Sequence, residues 1–334
     1  MKTNEKPLKK AILGIGNALV DVMFTLNDDK LLKQFGLLKG SMTLVDAGLS
    51  QKIQAGASHL PREIHTGGSA GNTIHGIAKM GGTCGYLGKI SKDEFGDFFK
   101  EELESNNINN HLLYSDTGTG VATTLISKDS ERTFGTYLGA AMELMPGDLS
   151  EGIFKDYGYL HIEGYLVQNH ELIETAVKMA KKAGLKVAVD MASFNVVEAN
   201  LDFLKKLVSE YVDIVFANEE EAKSFTGLEP EAALDVIAGM CDIAIVKTGA
   251  KGSLIKSGNE KVKIGAIPAK SIDTTGAGDI YAAGFLYALA EGYPLEKAGK
   301  LGALLAGKVV EVMGAKIPEE QWPELRAGAA AILK

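Results

Sequence analysis

The residues best placed to do chemistry lie late in the chain, in Asp273-Thr-Thr-Gly-Ala-Gly-Asp279. Its two glycines allow a tight turn and let a ligand approach the backbone closely. The segment leads directly into IYAAGFLYALAEG, an apolar stretch of helical character, so its amides fall at a helix start. Free N–H groups there attract anions. A carboxylate beside an anion site needs a purpose, and Asp279 reads as a base or a metal partner. A plain turn with an N-cap and a first-turn acid produces the same pattern, so the other polar residues must decide.

Several of them lie where strands hand over to helices. Gly67, Gly68 and Asn72 sit at one helix start, offering backbone and amide groups to a polar ligand. Asp21 follows the first strand, near the strand ends where open α/β sheets bind ligands. A carboxylate there can accept from two neighbouring hydroxyls, as a sugar offers. Asn218 and Glu221, in NEEE, open a helix after VDIVFA; they suit either the helix dipole or a magnesium ion, which prefers oxygen ligands and retained waters. KTGAKGS (247–253) leaves another strand into a glycine turn suited to a nucleotide.

Three familiar signatures fail. GIGNAL (14–19) lacks the last glycine of a dinucleotide fingerprint. GALLAGKV (302–309) has Val309 where a phosphate loop needs Ser or Thr, and it lies in a helical pattern. GGSAG (67–71) fits a hydrolase nucleophile turn, but that fold needs a later histidine and all six histidines lie at or before His170.

The elements that must carry these residues alternate. Strands are expected at 11–15, 84–88, 159–162, 187–190, 214–217 and 243–247. Helices are expected at 72–80, 95–105, 171–183, 201–210, 219–226, 231–240, 277–291 and 295–312. Strands without polar alternation imply burial on both faces and a parallel sheet with right-handed crossovers. Residues 18–48 and 117–138 break the rhythm, alternating apolar and polar positions around a polar turn at 128–131. They read as a small β-sheet over the strand ends, with Gly118, Gly120, Gly135 and Gly139 as hinges. The 334 residues carry a net charge of −8, which argues against a nucleic-acid surface. No stretch reaches the roughly 18 apolar residues of a membrane span. Two cysteines are too few for a disulfide framework, so a cytoplasmic setting is expected.

GGSAGNTIHGIAKMGG (67–82), NEEE, KTGAKGS and DTTGAGDIYAAGF (273–285) together resemble the ribokinase-like, or PfkB, family of carbohydrate and nucleoside kinases, in the family's order across nearly the whole chain. GNALVD, KGSMTLVD and ERTFGTYLGAA look most like its adenosine-kinase-like branch. The resemblance implies a three-layer α/β/α domain with a mainly parallel sheet (1–17, 49–116 and 139–334) and a β-sheet lid (18–48 and 117–138). It implies Asp279 as base and the Gly276, Ala277 and Gly278 amides as an anion hole. Asp21, Asn17, Gly67, Gly68 and Asn72 would hold the acceptor. Lys247, Thr248, Gly249, Gly252, Thr274 and Thr275 would border the nucleotide, with the small residues near Ala303 and Gly307. Asn218 and Glu221 would organise magnesium, mostly through water, and the family often holds potassium on backbone near Asp273. Arg132, in the lid hairpin, either closes on the phosphates or stands solvated.

The expected activity is transfer of the γ-phosphate of ATP to a primary hydroxyl. A nucleoside, adenosine first, is preferred as acceptor, with Phe24, Leu44, Phe134 and Tyr137 as apolar surface for its base. A free sugar such as ribose or fructose is the alternative. No nucleic acid or membrane partner is expected, and a homodimer through the lid is an open arrangement. A silent ligand-binding regulator on the same scaffold is a reading of another class; the intact Asp279 and glycine turn favour the kinase.

Overall fold

Runs such as ILGI, YLHIE and KVAVD lack polar alternation, and the structure covers both their faces. A computed structural model describes residues 9–129 and 131–334. Residues 1–8, assigned to the large unit, and Ser130, in the expected lid turn, lie outside the described residues. In chain order the strands are β1 (Ile12–Ile15), β2 (Leu19–Thr25), β3 (Met42–Leu44), β4 (Arg62–Thr66), β5 (Cys84–Ser91), β6 (Asn109–Ser115), β7 (Gly120–Ile126), β8 (Arg132–Tyr137), β9 (Tyr159–Glu163), β10 (Lys186–Asp190), β11 (Ile214–Asn218), β12 (Ile243–Lys247), β13 (Ser253–Ser257) and β14 (Glu260–Ile264).

The large sheet runs β14-β13-β12-β11-β10-β9-β1-β5-β6. From β12 to β6 every pairing is parallel; β13 and β14 add an antiparallel hairpin at one edge. Neighbouring side chains of β1 serve opposite layers. Ile12 joins the apolar cluster containing Ile77 and Phe285, while Leu13 joins the one containing Val177 and Phe225. Helices on both faces of a mainly parallel sheet make the three-layer α/β/α fold.

The second sheet runs β3-β8-β7-β2-β4. Its membership corrects one boundary. Residues 49–116 were all assigned to the large unit, yet β4 pairs antiparallel with β2, Val20 opposite Thr66 through Phe24 opposite Arg62. The REIHT segment is weakly apolar because it is an edge strand, where exposed charges such as Arg62 and Glu63 discourage further pairing. Helix Ala47–Ala57 packs on β7 and β8, its Ile53 fully buried. β3 is the opposite edge, with Met42 and Leu44 exposed.

The parallel strands point their carboxyl ends one way, and Asn17, Glu163, Asp190, Asn218 and Lys247 all sit at or just past those ends. Helix Ala277–Ala290 is apolar almost all round, so it is buried on almost all sides. It packs against helices Ser69–Lys79 and Leu295–Val309. Phe285 meets Phe216 of β11 edge to face, ring centroids 5.5 Å apart. This helix carries Asp279 at its first turn, so its seating sets the site. Phe285→Ala should cost about 3–5 kcal/mol, seen as a lowered midpoint of urea unfolding; a midpoint equal to that of the wild type would contradict this role for Phe285.

Candidate active site

The glycine turn begins where helix Ala277–Ala290 begins. Gly276, its N-cap, has φ of +73°, and a Cβ there would collide with Ala315. Only glycine holds this turn without strain. Asp273 braces it from behind, accepting from the backbone N–H of Thr275 at 3.0 Å and of Gly314 at 2.7 Å. The same carboxylate pairs with the Arg132 guanidinium at 2.8 Å, and the two side chains are only 7% and 9% exposed. The hairpin arginine is therefore not solvated. It reaches from the second sheet onto the loop that forms the turn, within 3.5 Å of the Thr275 hydroxyl. Thr274 is exposed.

Asp279 is held from helix Ser69–Lys79. The Ser69 hydroxyl donates to Asp279 Oδ1 at 2.7 Å, the Asn72 amide to Oδ2 at 2.9 Å, and the Thr73 hydroxyl to its backbone carbonyl at 3.1 Å. Ser69 and Asn72 are three residues apart, so one helix face presents both. Burial pushes the Asp279 carboxyl up to about 6, against these two hydrogen bonds. A carboxylate so held is ionised at neutral pH and close to proton exchange, which suits a general base.

This changes the role expected of Asn72. Its amide nitrogen is committed to Asp279, and its carbonyl oxygen is buried without a partner among the described residues. Asn17 is likewise spoken for: its amide donates to Glu163, which also accepts from the Ala70 N–H at 3.0 Å. Burial pushes Glu163 up to about 7 despite both bonds. Asn17 and Glu163 thus anchor the start of helix Ser69–Lys79, whose N-cap is Gly68 at φ +81°.

Asp21 stands apart. It accepts no hydrogen bond among the described residues, and burial pushes it up to about 6, against the charges of Lys316 and Arg132. Gly67 makes its room, since a Cβ there would come within 2.5 Å of both carboxylate oxygens. Asp21 lines a cleft between the two sheets with Met23, His65, Arg132, Phe134, Thr275, Met313 and Lys316. Of the four apolar side chains expected around a base, only Phe134 lines this cleft. Phe24 is buried in the core, Leu44 is exposed on the edge strand, and Tyr137 lies elsewhere on β8.

On the other side of the turn, the Lys247 ammonium lies 2.9 Å from where a Cβ on Gly278 would be. It pairs with Asp190 at 2.9 Å. Burial alone would lower Lys247, but Asp190 and Glu221 together lift it to about 12. Glu221 and Asn218 form a reciprocal capping box, and burial with the Asp190 charge pushes Glu221 up to about 7. Both Glu221 oxygens already accept from Asn218, so a divalent cation would meet this pair only through water. Thr248 donates its hydroxyl to the Gly252 carbonyl, and Gly249 and Gly252 have φ of +54° and +96°, shaping the turn after β12. The sequence reading missed Ser69, Glu163, Asp190 and Lys316. Ser69 lies inside a quoted motif; the other three sit in segments with no local signal.

A glycine turn at a helix start, a held carboxylate beside it and a parallel sheet beneath suit a phosphotransferase that acts on an alcohol group. The chain belongs to the pfkB family of carbohydrate kinases, whose pattern matches residues 48–322. It is 30% identical over 263 residues to a 5-dehydro-2-deoxygluconokinase of Listeria innocua, covering 74% of this chain and 81% of the relative. The solved adenosine kinase of Sinorhizobium meliloti superposes with a TM-score of 0.84 at 33% identity, covering 97% of this chain and 99% of that one. A probable sugar kinase of Rhizobium etli superposes at 0.86 with 32% identity, covering 98% and 100%. Among the described residues no helix is long and apolar enough to cross a membrane.

Asp21 generates a stability prediction. Its carboxyl rises from 3.8 to about 6 on folding, so the folded state holds its proton more tightly. Ionising it therefore destabilises the fold, fully above about pH 6 and not at all below about 3.8. Asp21→Asn should melt higher than wild type at pH 7.5, by up to about 3 kcal/mol, with the gap closing at pH 4. A variant that melts lower at pH 7.5 would contradict the unpaired state of Asp21.

Proposed function

We propose that the chain transfers the γ-phosphoryl group of ATP to a primary hydroxyl of a sugar unit held by Asp21. The observation that carries the reading is the Asp279 carboxylate, fixed by Ser69 and Asn72 beside the Gly276–Gly278 turn. A hydroxyl between Asp279 and the turn faces a proton acceptor on one side and a phosphate cradle on the other. Phosphoryl transfer is loose, so alignment and charge stabilisation matter more than early deprotonation. Orientation alone contributes roughly 7–11 kcal/mol in favourable cases. Asp279 takes the hydroxyl proton as the new O–P bond forms and the bond from the γ-phosphorus to the β–γ bridging oxygen breaks, that oxygen leaving with ADP. The Gly276 and Gly278 amides and the Lys247 ammonium meet the charge on the transferred group, whereas the Ala277 N–H, expected in the anion hole, is engaged by the Thr274 carbonyl at 3.2 Å.

Magnesium, when bound with the nucleotide, neutralises phosphate charge; Asn218 and Glu221 would hold it through water. Asp273 spends its carboxylate oxygens on protein donors, so a potassium ion near it would rest on backbone carbonyls alone. Arg132 can exchange Asp273 for phosphate oxygens, with the second sheet acting as a lid that excludes water.

For the acceptor, support for a carbohydrate rather than a nucleoside comes from the charged lining of the cleft and from the likeness to the L. innocua relative, whose name is that of a sugar-acid kinase. A nucleoside such as adenosine is the second reading. It is supported by the apolar wall of Met23, Phe134 and Met313 and by the likeness to the S. meliloti adenosine kinase.

The test is ADP release at fixed MgATP with ribose, fructose, adenosine and inosine as acceptors. At least one should be turned over, and kcat/KM should fall below about pH 6 as Asp279 and Asp21 take up protons. No ADP release with any sugar or nucleoside, or a profile flat from pH 5 to 8, would contradict the reading.

A further inference from the structure

Ser69 stands at a helix start, where a serine usually caps, yet it caps nothing. Gly68 takes the N-cap of helix Ser69–Lys79, so the serine falls one residue inside it. Among the described residues its hydroxyl makes one hydrogen bond, to Asp279 Oδ1 at 2.7 Å. The other oxygen, Oδ2, is taken by the Asn72 amide at 2.9 Å. The empty site thus meets an incoming hydroxyl with a base whose two oxygens are both in use. The two donors differ in how freely they leave. Asn72 is buried, while Ser69 is half-buried and swings its hydroxyl about a single bond. Oδ1 is therefore the oxygen that changes partners.

We infer that Ser69 decides between the acceptor and water: in the empty site its hydroxyl holds the place on Asp279 that the acceptor hydroxyl takes. With ATP bound and no acceptor, a bare Oδ1 would order a water and activate it toward the γ-phosphate. That water would give one proton to Asp279 and form a new O–P bond as the bond from the γ-phosphorus to the bridging oxygen breaks, yielding phosphate and ADP. The serine hydroxyl keeps the water off, and its own oxygen stays tethered to the first turn of a helix. An acceptor seated in the cleft displaces Ser69 with binding energy from the rest of the molecule, which a water lacks. This inference deepens the kinase reading and rests on Asp279 as its base.

The test is ADP release from MgATP without acceptor, set against release with ribose, fructose, adenosine and inosine. It compares wild type with Ser69→Ala, Ser69→Gly and Ser69→Thr, with thermal melts and calorimetric ATP binding to show that each is folded. Wild type and Ser69→Thr, which keeps the hydroxyl, should release little ADP without acceptor. Ser69→Ala and Ser69→Gly open a water-sized space on Oδ1. They should raise acceptor-independent release relative to acceptor-dependent release by about tenfold or more, a modest share of what general-base help supplies. Loss of a merely structural contact would lower both rates and leave their ratio. An unchanged ratio in Ser69→Ala and Ser69→Gly overturns the inference and leaves the kinase reading standing, as does a rise that Ser69→Thr shares. Phosphate found on Ser69 by mass spectrometry, after wild type is incubated with MgATP alone, also overturns it, because the serine is then an acceptor itself. Acceptor-independent release confined to Ser69→Ala and Ser69→Gly, with no sugar or nucleoside turned over, sustains the shielding of Asp279 and sinks the kinase reading. No ADP release from any variant under any condition overturns both.

Discussion

A single half-buried carboxylate organises this molecule. Asp279 sits in the first turn of a helix enclosed on almost all sides, and burial raises its proton affinity. The hydrogen bonds from Ser69 and Asn72 offset part of that cost and fix both oxygens. They also tie helix Ala277–Ala290 to helix Ser69–Lys79. Asn17 and Glu163 extend the brace to the ends of β1 and β9. An acid poised near neutrality is thus a result of packing several layers deep.

Charge is distributed around it in opposed pairs. Asp190 and Lys247 pair at the ends of β10 and β12, with Glu221 adding a second acid. Arg132 and Asp273 lie on the side of the second sheet and join it to the glycine turn. A buried pair of this kind is weak support for stability, because desolvation consumes much of the attraction. What each pair does is placement: it holds a cation close to the glycine turn.

The sequence was most legible where local chemistry and position coincide. The doubly buried strands announce themselves by their unbroken apolar runs, and the glycine turn with Asp279 by its place before an apolar helix. The hairpin β13–β14 and strand β6 were not anticipated, since NNHLLYS and EKVKI mix charges and amides into strands at or next to a sheet edge. Helices Ala47–Ala57 and Trp322–Leu333 were missed for a related reason: small residues and glycines blur their periodicity. At the site, residue types were easier to read than partners. Asn72 was recognisable as a polar group at a helix start, but its bond to Asp279 spans 207 positions. Asp190, Glu163 and Lys316 carry no local motif; the convergence of strand ends gives the first two their meaning, and the fold-back of the segment after helix Leu295–Val309 brings in the third. The aromatic platform failed because alternation on β2 and β8 does not say which face meets the cleft.

The central claim is that Asp279 accepts the proton of the hydroxyl being phosphorylated, while the adjoining turn binds phosphate independently of it. Asp279→Asn separates the two functions. The measurement is kcat by ADP release, on whichever acceptor the wild type turns over, together with ATP affinity by calorimetry on the same preparations. The account predicts ATP affinity near that of the wild type and a kcat lower by ~10²–10⁴-fold. Turnover at the wild-type rate in the folded variant would contradict it.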